Sequence, residues 1–421
     1  MKLLSALLLA ALAAWPAEIL TLSEAESLAI RNHPRVAAAR LAAEASRESE
    51  KQIKANLQPQ VNTNFTSAAA DRGTSILAGT LQAQGLFSRT AGGLNITQNL
   101  YDFGRTNALA GAARSRASAQ AETANAVRRD IIFQVRQAYY AALLARAQVR
   151  IAKETVDARR LIVKQVSALV TSSLRSTLDQ SFAELSLAEA DLALDRAEND
   201  YRSARVQLSA AIGRTQEQEF DLNEEPMPDE IKGDLDSTVS SALRERPELA
   251  ALRLQEDAAR RFADSERRQS LPSLSAMGAG GVAAWRDPHL QRTYSSVGVN
   301  LNIPILNGNL FSSRRHEAEL RAQVATQDTR DLEIRVARDL RAAWIDATNA
   351  FRRLAVTARV VDHATRTLRL AQTRYDLGLA TIIELNQAQL SRLTASFTDA
   401  AAKYDYMFKR FVVDYQSGAV R

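Results

Sequence analysis

Apolar positions along the chain follow two rhythms. Between Ile131 and Val156 they fall at Ile131, Val135, Ala138, Ala142, Ala145, Val149, Ala152 and Val156, in alternating steps of four and three. Steps averaging about 3.5 residues mark a left-handed coiled-coil seam on a helix. A second stripe, Tyr140, Leu144, Ala147 and Ile151, runs beside it, and Leu340 to Ala371 repeats the arrangement with Trp344, Thr348, Phe351 and Ala355 alongside. A helix with two narrow seams packs between two neighbours, as in a sheet-like or closed array, whereas a plain soluble bundle shows one broader, Leu-rich stripe. The seams predict a long helix over 105–170, roughly 100 Å at 1.5 Å per residue. Shorter helices over 34–57 and 177–212 together match its length. The second half of the chain offers the same trio at 247–269, 309–377 and 381–415.

The other rhythm has period two. Val297, Val299, Leu301 and Ile303 alternate with Ser296, Gly298, Asn300 and Asn302, and Leu94, Ile96 and Leu100 alternate with Asn95, Thr97 and Asn99. Val61, Thr63 and Phe65 do the same against Asn62, Asn64 and Thr66. Strands alternate this way when one face is apolar and the other polar. Candidate pairs lie near 58–69 with 91–101 and near 272–284 with 294–303. A small soluble hairpin domain fits the alternation, and so does a membrane barrel. Four strands cannot close in lipid by themselves, so a barrel would need several chains.

The halves are copies. Arg31, Pro34, Ala37, Ala38, Arg40, Leu41 and Pro59 recur 213 residues later as Arg244, Pro247, Ala250, Ala251, Arg253, Leu254 and Pro272. Further on the offset becomes 205, pairing Val135, Arg136, Ala138 and Tyr139 with Leu340, Arg341, Ala343 and Trp344. The length difference falls between 61 and 94, where Asp71-Arg72-Gly73-Thr74, Gly79 and Gly85 predict an irregular loop. The fold class expected is mainly α with a small β part, made of repeats at 18–212 and 237–421. The acidic, Pro-bearing stretch 213–236 reads as a linker.

Composition narrows the function. Only 16 Gly and 9 Pro in 421 residues favour long unbroken elements, and 46% hydrophobic with 24% charged residues excludes disorder. The absence of Cys excludes disulfides, thiol catalysis, Cys-ligated metal and a lipid-modified N-terminal Cys. The four histidines are scattered, and no HExxH, GxxxxGK[ST] or GxSxG pattern occurs. No catalytic, metal or cofactor site is expected, and the chain is read as no enzyme. Arg and Glu interleave along the helices, so the net charge of +6 reads as a solvated helical surface, not a nucleic-acid patch. Lys2 before the apolar run Leu3 to Ala14 predicts a secretory leader at 1–17. Ala11 and Ala13 suit cleavage after Ala13, with Trp15 to Ala17 leaving neighbouring positions open. No later stretch reaches the ~20 apolar residues of a membrane-spanning helix.

Several motifs, in order and duplicated, resemble the TolC-like outer membrane efflux protein family over nearly the whole exported chain. They are Leu22-Ser23-Glu24-Ala25 and Asn32-His33-Pro34-Arg35, the second copy Glu245-Arg246-Pro247-Glu248, the strand ends Gln98-Asn99-Leu100-Tyr101-Asp102-Phe103-Gly104 and Ile303-Pro304-Ile305-Leu306-Asn307-Gly308, and the tip Tyr375-Asp376-Leu377-Gly378-Leu379. The resemblance implies a homotrimer in outer membrane lipid, with a twelve-stranded β-barrel continuous with an α-helical barrel across the periplasm and four strands from each protomer. It also implies a periplasmic membrane-fusion adaptor and an inner-membrane transporter as partners, with no nucleic acid. By the same resemblance the adaptor-contacting tips are Ser173 and Leu174 in the first repeat and Leu377, Gly378 and Leu379 in the second. A serine replaces the family's tip glycine at Ser173. The implied periplasmic gate residues are Tyr375, Asp179 and Glu384. Ala380 stands where some members have a gate arginine, and Gln387 where some have an acid. Ser176-x-x-Asp179 and Thr381-x-x-Glu384 also read as capping boxes, a role compatible with gating.

The function expected is a passive exit duct for efflux, with a type I protein secretion duct as the alternative. An exported adaptor, a single hairpin in nested β domains, is disfavoured by the duplication. A purely structural coiled coil is the third class. Residues 70–90 and 286–293 are the expected extracellular loops.

Overall fold

The computed structural model describes residues 18–69, 77–78, 81–82, 87–215 and 220–420. The leader at 1–17 and most of the 70–90 loop lie outside the described residues. The chain divides into two units, one of residues 1–38, 125–246 and 334–421, the other of residues 39–124 and 247–333.

The first unit is helical around a small two-stranded sheet. Strand β1 (Glu18–Leu20) leads into α1 (Leu22–Asn32), whose start is closed by a reciprocal capping box between Thr21 and Glu24. Pro34 then opens α2 (Pro34–Ala55). Lacking an N–H, it cannot continue α1, and the residue before it, His33, turns to extended backbone. Arg246 and Pro247 repeat this break between α5 (Leu235–Glu245) and α6 (Pro247–Arg268). The predicted trios are present with ends within about two residues: α3 (Arg105–Thr171) folds back as α4 (Thr177–Ala211), and α7 (Leu310–Asp376) as α8 (Ile382–Ser417). End differences of that size are within the ordinary fraying of helix termini.

The predicted seam positions from Ile131 to Val156 and from Leu340 to Ala371 are buried or half-buried. Ile131, Val135, Ala142, Ala145, Ala152 and Val156 are all buried, as are Leu340, Ala343, Ala347 and Ala350. Around Tyr139 the core gathers Leu20, Leu22, Ala25, Leu143, Leu208 and Leu222 from five elements. Arg159, buried on α3, donates to the Ser186 carbonyl on α4 and lies 3.7 Å from Glu189. The exposed helix faces carry i,i+4 pairs such as Arg366 with Asp362 at 2.8 Å, as a solvated surface should.

The linker expected at 213–236 is partly strand. Its β6 (Phe220–Leu222) pairs in parallel with β1, so the start of the first repeat is held beside the junction with the second. Tyrosines on the helices bind this segment: the Tyr139 hydroxyl donates to the Leu20 and Asn223 carbonyls, both at 2.8 Å, Tyr140 donates to Glu225 at 3.1 Å, and Tyr406 to the Asp229 carbonyl at 2.6 Å. Pro, Gly and acidic residues suggest a linker by composition, but hydroxyl groups 80 or more residues away supply its order.

The second unit holds a four-stranded antiparallel sheet in the order β2 (Gln60–Ala68), β5 (Arg89–Tyr101), β7 (Ser273–Arg286), β8 (Thr293–Asn302). Two-residue strands β3 (Leu77–Ala78) and β4 (Leu81–Gln82) pair in the first interstrand loop. Each predicted hairpin forms, and β5 joins β7, which zips one repeat to the other.

Below β5, Asp102 accepts from the Gly104 and Thr106 amides at 3.1 and 2.9 Å and thereby caps α3. Phe103 and Gly104 take positive φ, and Gly308 and Asn309 do so in the second copy. The shared strand-end motif is therefore a left-handed corner that turns strand into helix. Among the described residues no helix is long and apolar enough to cross a membrane, a statement that says nothing of the sheet.

Candidate functional site

Two surfaces stand out, the sheet and the hairpin tips. The register places Val61, Ile96, Gly278 and Val297 in one row, with Leu274 opposite Leu301 and Ala276 opposite Val299 on the same face. The opposite face carries Asn62, Asn95, Ala279 and Ser296 in one row, with Asn64 beside Gly93 and Ser275 beside Asn300. Large apolar residues stand exposed, Phe65 at 85% and Val297 at 92%, and among the described residues the outer edges of β2 and β8 have no ladder partner. An apolar face and two open edges are costly in water and suited to lipid and to further strands.

Glycines keep the polar face open. A Cβ at Gly93 would lie 2.2 Å from the Tyr294 hydroxyl and 2.7 Å from the Gly280 carbonyl, and one at Gly281 2.5 Å from the same hydroxyl. Tyr294 lies across both. On the apolar face Phe65 covers Gly92 in the same manner.

At the tips, both hairpins turn through a Schellman motif. In the first, the Leu174 amide donates to the Leu169 carbonyl at 2.8 Å and Ser173 to Val170 at 2.9 Å; in the second, Leu379 donates to Arg374 at 2.8 Å and Gly378 to Tyr375 at 3.0 Å. Ser173 has φ 58° and Gly378 φ 73°, so the serine adopts the glycine conformation. Leu174, Leu377 and Leu379 project to solvent, each about 70% exposed.

The two tips pack together through Ile162, Val166, Ala183, Ala371, Tyr375 and Leu385. Tyr375 is buried at 4% exposure, and among the described residues its hydroxyl has no hydrogen-bond partner. Burial pushes the Tyr375 phenol above its usual range, against the opposing pull of the Arg175 charge. Arg175, from the first tip, lies 4.5 Å over the Tyr375 ring and donates to its carbonyl at 2.8 Å.

Among the described residues Asp179 and Glu384 form no bond with this pair, although the Asp179 charge adds to the rise of the Tyr375 phenol. Asp179 is half-buried in the first turn of α4, and among the described residues its side chain makes no hydrogen bond or ion pair. Glu384 faces Arg374 at 3.6 Å. Of the expected reciprocal capping boxes, the second forms in half, Thr381 accepting from the Glu384 amide at 3.2 Å, while at the first Ser176 accepts from the Leu178 amide at 3.1 Å, an N-cap bond outside the box; among the described residues neither acid returns a bond. The Glu384 side chain is drawn to Arg374 instead.

Arg175 was not among the residues expected at the gate. The 205-residue offset carried that signal, since it pairs Arg175 with Ala380. The arginine lacking from the second tip is present on the first. Among the described residues no group of His, Asp or Glu is arranged to hold a metal.

Comparison with known proteins gives a consistent result. The family model described as "Outer membrane efflux protein" matches residues 26–214 and 238–408, most of the chain. The cobalt-zinc-cadmium resistance protein CzcC of Cupriavidus metallidurans is 29% identical over 222 residues, half of each chain. The outer membrane protein TolC of Vibrio cholerae is 24% identical over 334 residues, 75% of this chain and 73% of that one. In fold, the crystal structure of CusC superimposes with a TM-score of 0.81 over 94% of this chain and 92% of its own at 18% identity. The outer membrane protein VceC of Vibrio cholerae superimposes with 0.78 over 94% and 96%.

Proposed function

Because the chain belongs to the outer membrane efflux protein family, we propose that it is the passive exit duct of a tripartite export system, working in the outer membrane as a homotrimer. The observation that carries this is the sheet: four strands, one apolar exposed face, one polar face and two unpaired edges. Three copies joined β2 to β8 make a twelve-stranded barrel without an edge, apolar toward lipid and polar within. The two-seamed hairpins of three chains line a helical tunnel through the periplasm.

The tips are the inner end of this duct. Exposed Leu174, Leu377 and Leu379, with Ser173 and Gly378 shaping the turns, seat a periplasmic membrane-fusion adaptor, and an inner-membrane transporter supplies the energy. Tyr375 with Arg175, and Glu384 with Arg374, hold the resting tips together, while Asp179 adds negative charge beside Tyr375. The loop 286–293 lies outside the cell. Efflux of small cargo is supported by the family description and by the metal-resistance name of CzcC. The protease secretion protein AprF of Pseudomonas aeruginosa matches over a shorter stretch, 171 residues.

Mass in mild detergent and conductance in planar bilayers test the reading. A trimer extracted from outer membranes that opens discrete channels is expected; a stable water-soluble monomer overturns it.

A further inference from the structure

The sheet carries almost no charge. Along β2, β5, β7 and β8 the only Asp, Glu, Lys or Arg residues are Arg89 and Arg286. The register sets these two directly opposite each other at the loop end of β5 and β7. Arg292 joins them, its carbonyl accepting from the Ala283 amide at 2.8 Å one rung beyond the Val282 and Thr293 pair. Ala283 pairs with Ala91, on the Asn-rich face, so the three arginines share that face. All three are exposed.

Among the described residues none of them meets a carboxylate. Arg286 donates to the Leu290 carbonyl at 2.9 Å, and the neighbouring acid, Asp287, is held by the His289 ring at 2.6 Å. Like charges facing across a ladder repel and destabilise it. A bound anion reverses that sign. Beside the arginines the same face encloses a hollow of about 740 Å³ lined by Asn64, Arg89, Asn95, Gln291, Thr293 and Tyr294. These supply amide, hydroxyl and guanidinium donors, and among the described residues no carboxylate lines the hollow.

We propose that this end of the polar face is an anion site that takes multivalent oxyanions of the phosphate class. It rests on the duct reading for its position, the outer mouth of the lumen, where three copies ring the opening. A cleft lined by one sign of charge concentrates counter-ions. The bond-forming face is the polar one, turned from the apolar side chains Phe65 and Val297, so the ligand is a free anion in the lumen and not a lipid headgroup.

The test compares the native trimer with the variant Arg89→Gln, Arg286→Gln, Arg292→Gln, in which side-chain length is nearly kept and trimer mass reports folding. Titration calorimetry of inorganic pyrophosphate into detergent-solubilised protein needs no conducting channel. Binding at least about tenfold weaker in the variant is expected, the loss of charge-assisted hydrogen bonds. Equal affinities, or no binding to the native protein, overturn the proposal. So does binding of lipopolysaccharide without binding of pyrophosphate, which would assign the arginines to lipid phosphate. In bilayers of zwitterionic lipid under a potassium chloride gradient, the variant's reversal potential shifts toward potassium; an unchanged value overturns the lumenal placement. A native trimer that forms no channel sinks the duct reading, and the calorimetric arm still decides the anion site.

Discussion

The guanidinium of Arg175 lies 4.5 Å over the ring of Tyr375 and is bonded to its carbonyl at 2.8 Å, linking the tip of one repeat to the last turn before the tip of the other. The positive charge therefore comes from one repeat and the ring from its copy. Partial burial makes such a contact worth about 0.5–2 kcal/mol.

Arg175→Gln removes both contacts and leaves the seams in place. Higher resting conductance in planar bilayers is expected, with a trimer of normal mass. Asp179→Ala, at a half-buried side chain that makes no hydrogen bond or ion pair among the described residues, is expected to leave conductance near the native value. A closed Arg175→Gln channel would remove this pair from the gate.

Tyr375→Phe deletes a buried hydroxyl that has no hydrogen-bond partner among the described residues. Relief of that unsatisfied group should leave stability unchanged or raise it by up to about 1 kcal/mol. Thermal melts check the sign. A clear drop would mean that the hydroxyl finds a partner across the trimer.

Ser173→Gly places the unstrained residue at a φ of 58°. The left-handed region costs a non-glycine residue roughly 1–2 kcal/mol, so slower amide exchange is expected at Ser172 to Leu174. Gly378→Ala, at φ 73°, should speed exchange in the second tip. Peptide-resolved hydrogen exchange reads both.

Tyr139 gives the fold an alkaline limit. Burial first, then the Glu225 charge, push its phenol from 10.0 to about 12, and Tyr140 moves in the same direction. A raised pKa means that the folded chain keeps the proton longer than the unfolded one. This contribution is complete below pH 10 and is lost as pH rises through about 12. Urea midpoints should fall over that window, and Tyr139→Phe should flatten the fall. At pH 7 the same variant strips the Asn223 carbonyl of the hydroxyl and leaves the Leu20 carbonyl only the Asn223 amide, which lowers stability by about 1–3 kcal/mol.

Gly93→Ala pushes a methyl group to 2.7 Å from the Gly280 carbonyl and 2.2 Å from the Tyr294 hydroxyl. The tyrosine can move; the neighbouring backbone cannot do so cheaply, at a cost of about 1–3 kcal/mol. A reduced yield of detergent-stable trimer is expected, and Tyr294→Ala should not restore it.

Much was legible in the sequence because the signals are periodic and local. Steps of four and three from Ile131 to Val156 required a two-neighbour helix, and alternation at Val297 to Ile303 required a two-faced strand, since side-chain direction follows backbone period alone. Pro34 and Pro247 end the helices before them because proline lacks a donor, and a tip with Gly378 turns because glycine tolerates positive φ. The duplication carried these readings from one half to the other.

What the tertiary structure decided are pairings between residues far apart in the chain. The ladder between β5 and β7, the parallel β1 with β6 inside a segment that reads as linker, and the hydroxyl of Tyr139 reaching Asn223 depend on which surfaces meet, and no local period encodes that. The same holds at the tips. Glu384 has the spacing of a capping acid yet turns to Arg374, because a charged donor 3.6 Å away competes with the backbone amide. Arg175 finds Tyr375 only once two copies of one hairpin have packed side by side, which each copy's sequence describes separately and neither describes together.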